Sequence, residues 1–409
     1  MNLKTKPDFG GICSILAAEG YTVKFRGFDA IDNYIGLSPL PFSWIETNAD
    51  LAILARHVDD LRFPGVDIAD AAADLSDRCL FFNCSEDEHS HPLPILSFEW
   101  DWQSGHFRDH SGVYYLLKEL KTKRAILLDQ DLLTPEEIPG QLMDSHDAND
   151  SPIMKTGNFQ AHGRFRTLMD AALLVSRYGY YQPDLEIILE NCFLDSVPEP
   201  EVQRTFLINL MVSPRPDWGL EMIKKHDLLN EMWPELASYD YVDHAKEFHP
   251  EGNVWKHTLE TFRHRKAPAS GVHDLRLSLG LLLHDSGKPI ADTNSGRRFD
   301  GHAELGAKAS SRFLGNLGFD KPLIEDIYYL VRNHMLPAAL KRLPLSKTSE
   351  IMASPLFPTL MELYRCDESS SFKGLDEYYE NSSAYKAYLK NSRNPYRALM
   401  NNVRNSRRF

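Results

Sequence analysis

The chain has 409 residues, 43% hydrophobic and 25% charged, with a formal net charge of -13. That length gives room for two to four domains with cores of their own. The acidic balance argues against a general nucleic-acid-binding surface, so any RNA contact must use a local patch. No apolar stretch is long enough to span a bilayer, and residues 1–8 lack the apolar segment of a signal peptide. The five cysteines are scattered without a CxxC pair, which argues against a thiolate zinc site or a disulfide framework. A reduced, cytoplasmic protein is expected.

In chain order, residues 1 to about 125 read as mixed α/β. Ile12–Ala18 is a short helix, and Tyr21–Phe25 alternates like a strand. Ala69–Leu75 is expected to be helical, and Cys79–Asn83 and Ile95–Trp100 to be strands. Thr134–Gly157, rich in Pro, Gly, Asp, Asn and Ser, reads as a linker. From Arg164 the period becomes helical, with Phe165, Leu168, Met169, Ala172 and Leu173 at i, i+3, i+4, i+7 and i+8. A helix starting at Pro183-Asp184-Leu185 and two more over Glu199–Met211 and Trp218–Leu229 follow, and the chain to about residue 370 is expected to be helical throughout.

The chemistry concentrates where a leucine-rich helix, Leu279 to Leu283, ends in His284-Asp285, with Gly287, Lys288 and a helix-stopping Pro289 just beyond. Imidazole and carboxylate are metal-ligand types. His257 lies on or beside the stripe of Trp255, Leu259 and Phe262. His302 stands at a helix start after Gly301, His334 is a polar insert in an apolar helix, and Asp367 ends another apolar run. A lone histidine beside an apolar face is usually a core residue. Five helices each offering such a group, in the order His, His-Asp, His, His, Asp, is a stronger signal. His249, His264 and His273 fall outside that order and read as surface or packing residues.

These residues resemble the HD metal-dependent phosphohydrolase superfamily. His284-Asp285-Ser286-Gly287-Lys288-Pro289 is similar to its H-D-x-G-K-P segment. With Phe248–Thr258, Gly301–Glu304 and Val331–Met335, it resembles the HD domain of bacterial CCA-adding tRNA nucleotidyltransferases and poly(A) polymerases. The resemblance implies a helical bundle holding one or two divalent ions, with Mg, Mn, Ni, Fe and Zn not distinguished. It implies a first ion on His257, His284, Asp285 and Asp367, and a second on His302 and His334 with Asp285 bridging. Asp285 and Lys288 would then be catalytic. Lys288 would also hold substrate phosphate or simply face solvent, and Arg332 would bind substrate or form a helix-surface ion pair.

The resemblance continues upstream. Gly163–Tyr180 is similar to the family's nucleotide-selecting neck, and Val202–Leu220 to the body helices after it. Nucleotidyl transfer needs two carboxylates at i and i+2 of one strand, which the pleat puts on one face to hold two ions. Phe25–Gly36 aligns with the family's L-V-G-G-x-V-R-D-x-x-x-G through Gly27, Asp32 and Gly36, but Phe28 replaces the second glycine. The carboxylate positions of the next strand read Phe42 and Trp44. Thr167, Met169 and Asp170 also depart from the neck pattern.

The expectation is an α+β protein. Residues 1–160 form a small mixed α/β nucleotidyltransferase-like head with its linker, 161–240 a helical neck and body, 241–375 an all-α HD domain, and 376–409 a basic C-terminal segment. Arg404, Arg407 and Arg408 are candidate RNA-phosphate contacts, weighed against a solvated tail. The implied function is divalent-metal-dependent phosphomonoester or 2′,3′-cyclic phosphodiester hydrolysis on a nucleotide or an RNA 3′ end, tRNA included. The head would be degenerate, with no membrane and no obligate protein partner. The alternatives are an active tRNA nucleotidyltransferase, or a non-catalytic RNA-binding protein.

Overall fold

The structure, a computed structural model, describes residues 8–64, 69–84, 91–128, 162–243, 252–268, 270–292, 299–371 and 374–392. The Thr134–Gly157 segment, His249, Arg404, Arg407 and Arg408 lie outside the described residues. The chain is α+β and divides into two compact units, Met1–Met232 with Lys266–His273, and Trp233–Arg265 with Asp274–Phe409.

The first unit opens with α1 (Phe9–Ala18), β1 (Lys24–Arg26), α2 (Phe28–Ile35), β2 (Phe42–Glu46), α3 (Leu51–His57), β3 (Ala71–Asp74), β4 (Cys79–Asn83), β5 (Phe98–Asp101), β6 (Phe107–Asp109) and α4 (Tyr114–Leu128). The six strands form one sheet in the order β3-β4-β2-β1-β5-β6, with β2 and β4 parallel and the other pairs antiparallel. Strand alternation sorts the two faces. Phe25, Ile45, Leu80 and Phe82 join Ile12, Leu16 and Leu54 in one core. Phe81, Ala72 and Cys79 pack with Phe42 and Trp44 on the other face. Gly27 turns the chain from β1 into α2 at φ 56, a region that favours glycine.

Two expected elements of the sheet region come out differently. The alanine run is β3, not a helix. Ala72 exchanges backbone hydrogen bonds with Arg62 on one side, and β3 pairs with β4 on the other. Helix propensity is worth only tenths of a kcal/mol per residue, and buried pairing outweighs it. Residues 94–97 form a 3-10 turn, and the strand starts only at Phe98. Pro94 has no N–H to give a ladder.

The unit continues with helices α5 (Arg164–Tyr178), α6 (Leu185–Asn191), α7 (Pro200–Val212), α8 (Pro216–Lys225) and α9 (Leu228–Met232). The stretch expected as one helix over Trp218–Leu229 is broken at Asp227, whose φ is 62. Arg177 on α5 donates from Nε and Nη2 to Asp32 on α2 at 2.6–3.1 Å, and the Tyr178 hydroxyl donates to the same carboxylate at 2.7 Å. Both partners of this ion pair are 1% exposed.

The second unit is helical throughout its described residues: α10 (Pro234–Ala237), α11 (Val254–Arg263), α12 (Leu275–Leu283), α13 (Lys288–Asp292), α14 (His302–Asn316), α15 (Lys321–Asn333), α16 (Leu345–Met352), α17 (Phe357–Ser369) and α18 (Asp376–Ser392). Asn253 caps α11 by accepting from Lys256 N, and Asp274 caps α12 from Leu277 N. Trp255, Phe262, Leu281, Leu282, Leu330, Leu360 and Leu363 form its buried interior. Pro289 does not stop a helix. It occupies the first turn of α13, where a missing N–H costs nothing.

Candidate metal centre

The six expected ligands converge in the second unit. His257 comes from the middle of α11, His284 is the C-cap of α12, and Asp285 follows it. His302 opens α14, His334 caps α15, and Asp367 lies in the last turn of α17. His257, His284, Asp285 and His334 are each 1% exposed.

They form two groups of three: His257, His284 and Asp367; and Asp285, His302 and His334. In the first, the Nε2 atoms of His257 and His284 are 3.3 Å apart, and Asp367 Oδ1 lies 3.1 Å and 3.9 Å from them. In the second, His302 Nε2 and His334 Nε2 are 3.1 Å apart, and Asp285 Oδ1 lies 3.7 Å and 3.9 Å from them. Asp285 Oδ2 faces the first group, 3.4 Å from His284 Nε2 and 3.8 Å from His257 Nε2. One carboxylate thus presents an oxygen to each group.

The proton positions follow from the partners. The Nδ1–H of His284, His302 and His334 donates to a backbone carbonyl three residues earlier: Leu281 at 2.8 Å, Phe299 at 2.9 Å and Val331 at 2.7 Å. His257 Nδ1–H donates to Ser370 Oγ at 3.2 Å, and that hydroxyl donates to the Asp367 carbonyl. With Nδ1 protonated, each neutral ring turns its Nε2 lone pair inward. Lone pairs facing each other at 3.1–3.3 Å repel unless a proton or a cation sits between them. Ligand atoms about 2.1 Å from an ion, at tetrahedral or right angles, lie about 3.0–3.4 Å apart.

Burial favours the neutral ring at His334 and His302, and the two carboxyls are held in the charged form. Burial pushes the His334 pKa down to about 4, with His284 adding to the shift, and burial also lowers His302. Burial alone would raise Asp285, but the Lys288 ammonium beside it outweighs burial and holds the carboxyl well below its usual range. Asp367, whose Oδ1 lies 3.1 Å from His257 Nε2, is likewise held low against its burial.

Lys288 Nζ sits 2.5 Å from Asp285 Oδ2 and 5.6 Å from the Phe299 ring centroid. An ammonium has three donors, so Lys288 can hold Asp285 and still offer charge to a phosphate. Arg332 is half-exposed and pairs with Glu304 on α14 at 3.0 Å, so it is placed in a surface ion pair rather than among the convergent groups. His273 is buried, and His264 is partly exposed beside Glu260. Sequence reasoning missed Ser370 and the three carbonyls. Their signal was available, because a histidine at a helix terminus can reach the carbonyl three residues back.

In the first unit, Phe42 and Trp44 lie on one face of β2, and Trp44 stacks on Phe81 at 4.7 Å and 11°. On the neighbouring strands, Arg26 Nη2 lies 2.9 Å from Glu46 and 3.2 Å from Glu99. Asp29 accepts from Ser43 Oγ and Trp44 N, and burial raises its pKa to about 7.

No protein-family model matches the chain. A CC-adding tRNA nucleotidyltransferase of Thermus thermophilus is 32% identical over 208 residues, 48% of this chain and 45% of that protein. A multifunctional CCA protein of Halorhodospira halophila is 26% identical over 125 residues, 31% of this chain and 29% of that protein. The chain therefore spans less than half the length of either curated relative. A solved structure of a tRNA-processing enzyme aligns over 93% of this chain and 89% of its own, at 12% identity and a TM-score of 0.42. The relationship to CCA-type tRNA nucleotidyltransferases read from the sequence is supported over the matched spans. Among the described residues no helix is long and apolar enough to cross a membrane.

Proposed function

We propose that the chain acts on RNA 3′ ends or nucleotides, and that its second unit is a divalent-metal-dependent phosphohydrolase centre for phosphomonoesters or 2′,3′-cyclic phosphodiesters. The observation that carries this is the convergence of four Nε2 lone pairs and two carboxylates, each imidazole locked by a hydrogen bond behind it. His257, His284 and Asp367 would hold one ion and His302 and His334 another, with Asp285 between them. Bound divalent ions acidify water and polarise a phosphoryl oxygen. The chain's part is to fix the ligand directions and keep the rings neutral. Lys288 keeps Asp285 ionised, and its ammonium is a point charge able to meet a substrate phosphate. Elemental analysis of the purified protein, with a screen of p-nitrophenyl phosphate and 2′,3′-cyclic nucleotides, tests this. Bound metal and turnover that the His284→Ala change removes are expected. A metal-free protein whose turnover survives that change would discard it.

A second reading, nucleotidyl transfer by the first unit, is the one that the names of both curated relatives favour. At β2 the aromatic pair Phe42 and Trp44 fills the expected carboxylate positions. Transfer would then have to draw on Asp29, Asp32, Glu46 or Asp50, of which Asp32 is held by Arg177 and Glu46 by Arg26. We infer a head degenerate for transfer. Incubation with tRNA lacking its 3′ end and labelled CTP or ATP separates the readings, because incorporation that survives His284→Ala would establish transfer.

A further inference from the structure

The two ligand groups differ in what supports them. The first draws on α11, the end of α12 and α17. The second takes Asp285 from the turn after α12, His302 from α14 and His334 from the end of α15. It therefore depends on how α14 docks against the other two pieces.

That docking is a close approach of backbones. His302, Gly306 and Ser310 recur at i, i+4 and i+8 on α14, one stripe of the helix. Gly306 and Ser310 are buried in it. A Cβ on Gly306 would stand 2.9 Å from Gly287 N, 3.1 Å from Ser286 Oγ and 3.3 Å from Val331 Cγ1. A Cβ on Gly287 would overlap the His302 carbonyl oxygen. Ser286 Oγ donates to the Gly306 carbonyl at 3.1 Å and lies 3.1 Å from Ser310 Oγ. Gly306 thus touches the turn that carries Asp285 and packs on Val331, whose carbonyl orients His334. Its own helix carries His302. One added methyl would press on the support of all three ligands.

We propose that the Gly306–Ser310 seam of α14 is the positioning device chiefly for the second ion, two of whose three ligands, His302 and His334, serve no other group, so that a side chain at Gly306 converts a two-ion centre into a one-ion centre. His257 and Asp367 stand on α11 and α17, which the seam does not touch, and His284 is held from behind by the Leu281 carbonyl of α12. The proposal rests on the metal-centre reading and deepens it.

The experiment loads wild type and Gly306→Ala with manganese, counts ions per chain by elemental analysis, and records the spin-coupled dimanganese resonance signal. Wild type is expected to hold two ions with a coupled signal. Gly306→Ala is expected to hold one, without coupling, with circular dichroism and melting showing a folded chain. Adding His284→Ala should remove the remaining ion. If Gly306→Ala does not fold, Ser310→Ala removes the hydroxyl contact without adding bulk, and should weaken the second ion about fivefold while leaving the first unchanged. A wild type with no ion defeats the metal-centre reading itself. A wild type with two ions whose folded Gly306→Ala also holds two, or whose Ser310→Ala keeps both affinities, overturns the seam alone. A wild type with one ion overturns it too.

Discussion

The two units bury charge in opposite ways. In the first, Asp32 is answered by Arg177, and Glu46 and Glu99 by Arg26, all cations of the chain itself, while Asp29 accepts from Ser43 Oγ and Trp44 N. In the second, acceptors outnumber the cation beside them, with four inward Nε2 atoms and two carboxylates against the ammonium of Lys288. A carboxylate paired with arginine is finished and serves the fold. Under the proposed function, a cluster of acceptors held rigidly from behind is completed by a cation from outside. The substitutions below break this contrast, from the largest expected effect to the smallest.

Asp285 is the centre's common element. Asp285→Ala should empty both ion positions and lower phosphoester turnover well beyond the roughly 10–100-fold loss that outer-shell changes cost. Elemental analysis and steady-state kinetics measure it. Retention of both ions in Asp285→Ala would show that the two groups are not joined.

The corresponding cut in the first unit should act on stability instead. Arg177→Met strands Asp32 at 1% exposure, at a cost of about 3–5 kcal/mol. Replacing both partners, Arg177→Met with Asp32→Leu, should recover most of that loss, because no unpaired charge remains. Urea unfolding reads the stability, and manganese content should not change. A single mutant as stable as wild type would mean that the pair is not holding the fold.

Acid should find the same weakness in the ion-free second unit. The folded-state pKa of His334 is about 4, below the unfolded value of about 6.5. Between those values the unfolded chain binds the extra proton, so stability is full above pH 6.5 and is lost as pH falls toward 4. For His334 alone the loss is about 2 kcal/mol from pH 7 to pH 5, and His302, lowered in the same direction, adds to it. Urea titrations of chelator-treated protein at both pH values measure the loss, and His334→Gln should flatten the dependence. Equal stability at both pH values would contradict a neutral buried ring.

How much of this was legible in the sequence depended on locality. The candidate ligands of the second unit could be read because all but His257 stand at a break between an apolar run and a polar group, and helical period shows which runs face inward. Helices α5 and α7 were legible for the same reason. The sheet was less so. Ala71–Asp74 carries helix-forming alanines, and only its neighbours Arg62 and β4 make it a strand. The role of Gly306 was invisible, because a glycine inside a helix says nothing about which backbone lies against it. The Asp32–Arg177 pair spans 145 positions, and no periodicity connects residues so far apart.

The smallest expected effect concerns His257. The other three imidazoles give their Nδ1–H to backbone carbonyls, which substitution cannot remove. His257 alone of the four gives it to a side chain, Ser370 Oγ. Ser370→Ala should free that ring to take the other tautomer and orientation. The first ion should then bind about tenfold more weakly, the lower end of what a lost outer-shell partner costs. Ser370→Thr keeps the hydroxyl and should bind within a few-fold of wild type. The second ion draws on neither His257 nor Ser370, so its affinity should be unchanged in both variants. Manganese titration followed by calorimetry resolves the two steps. Equal weakening of both would mean that Ser370 supports the whole bundle rather than one ring, and would remove the argument from locked tautomers.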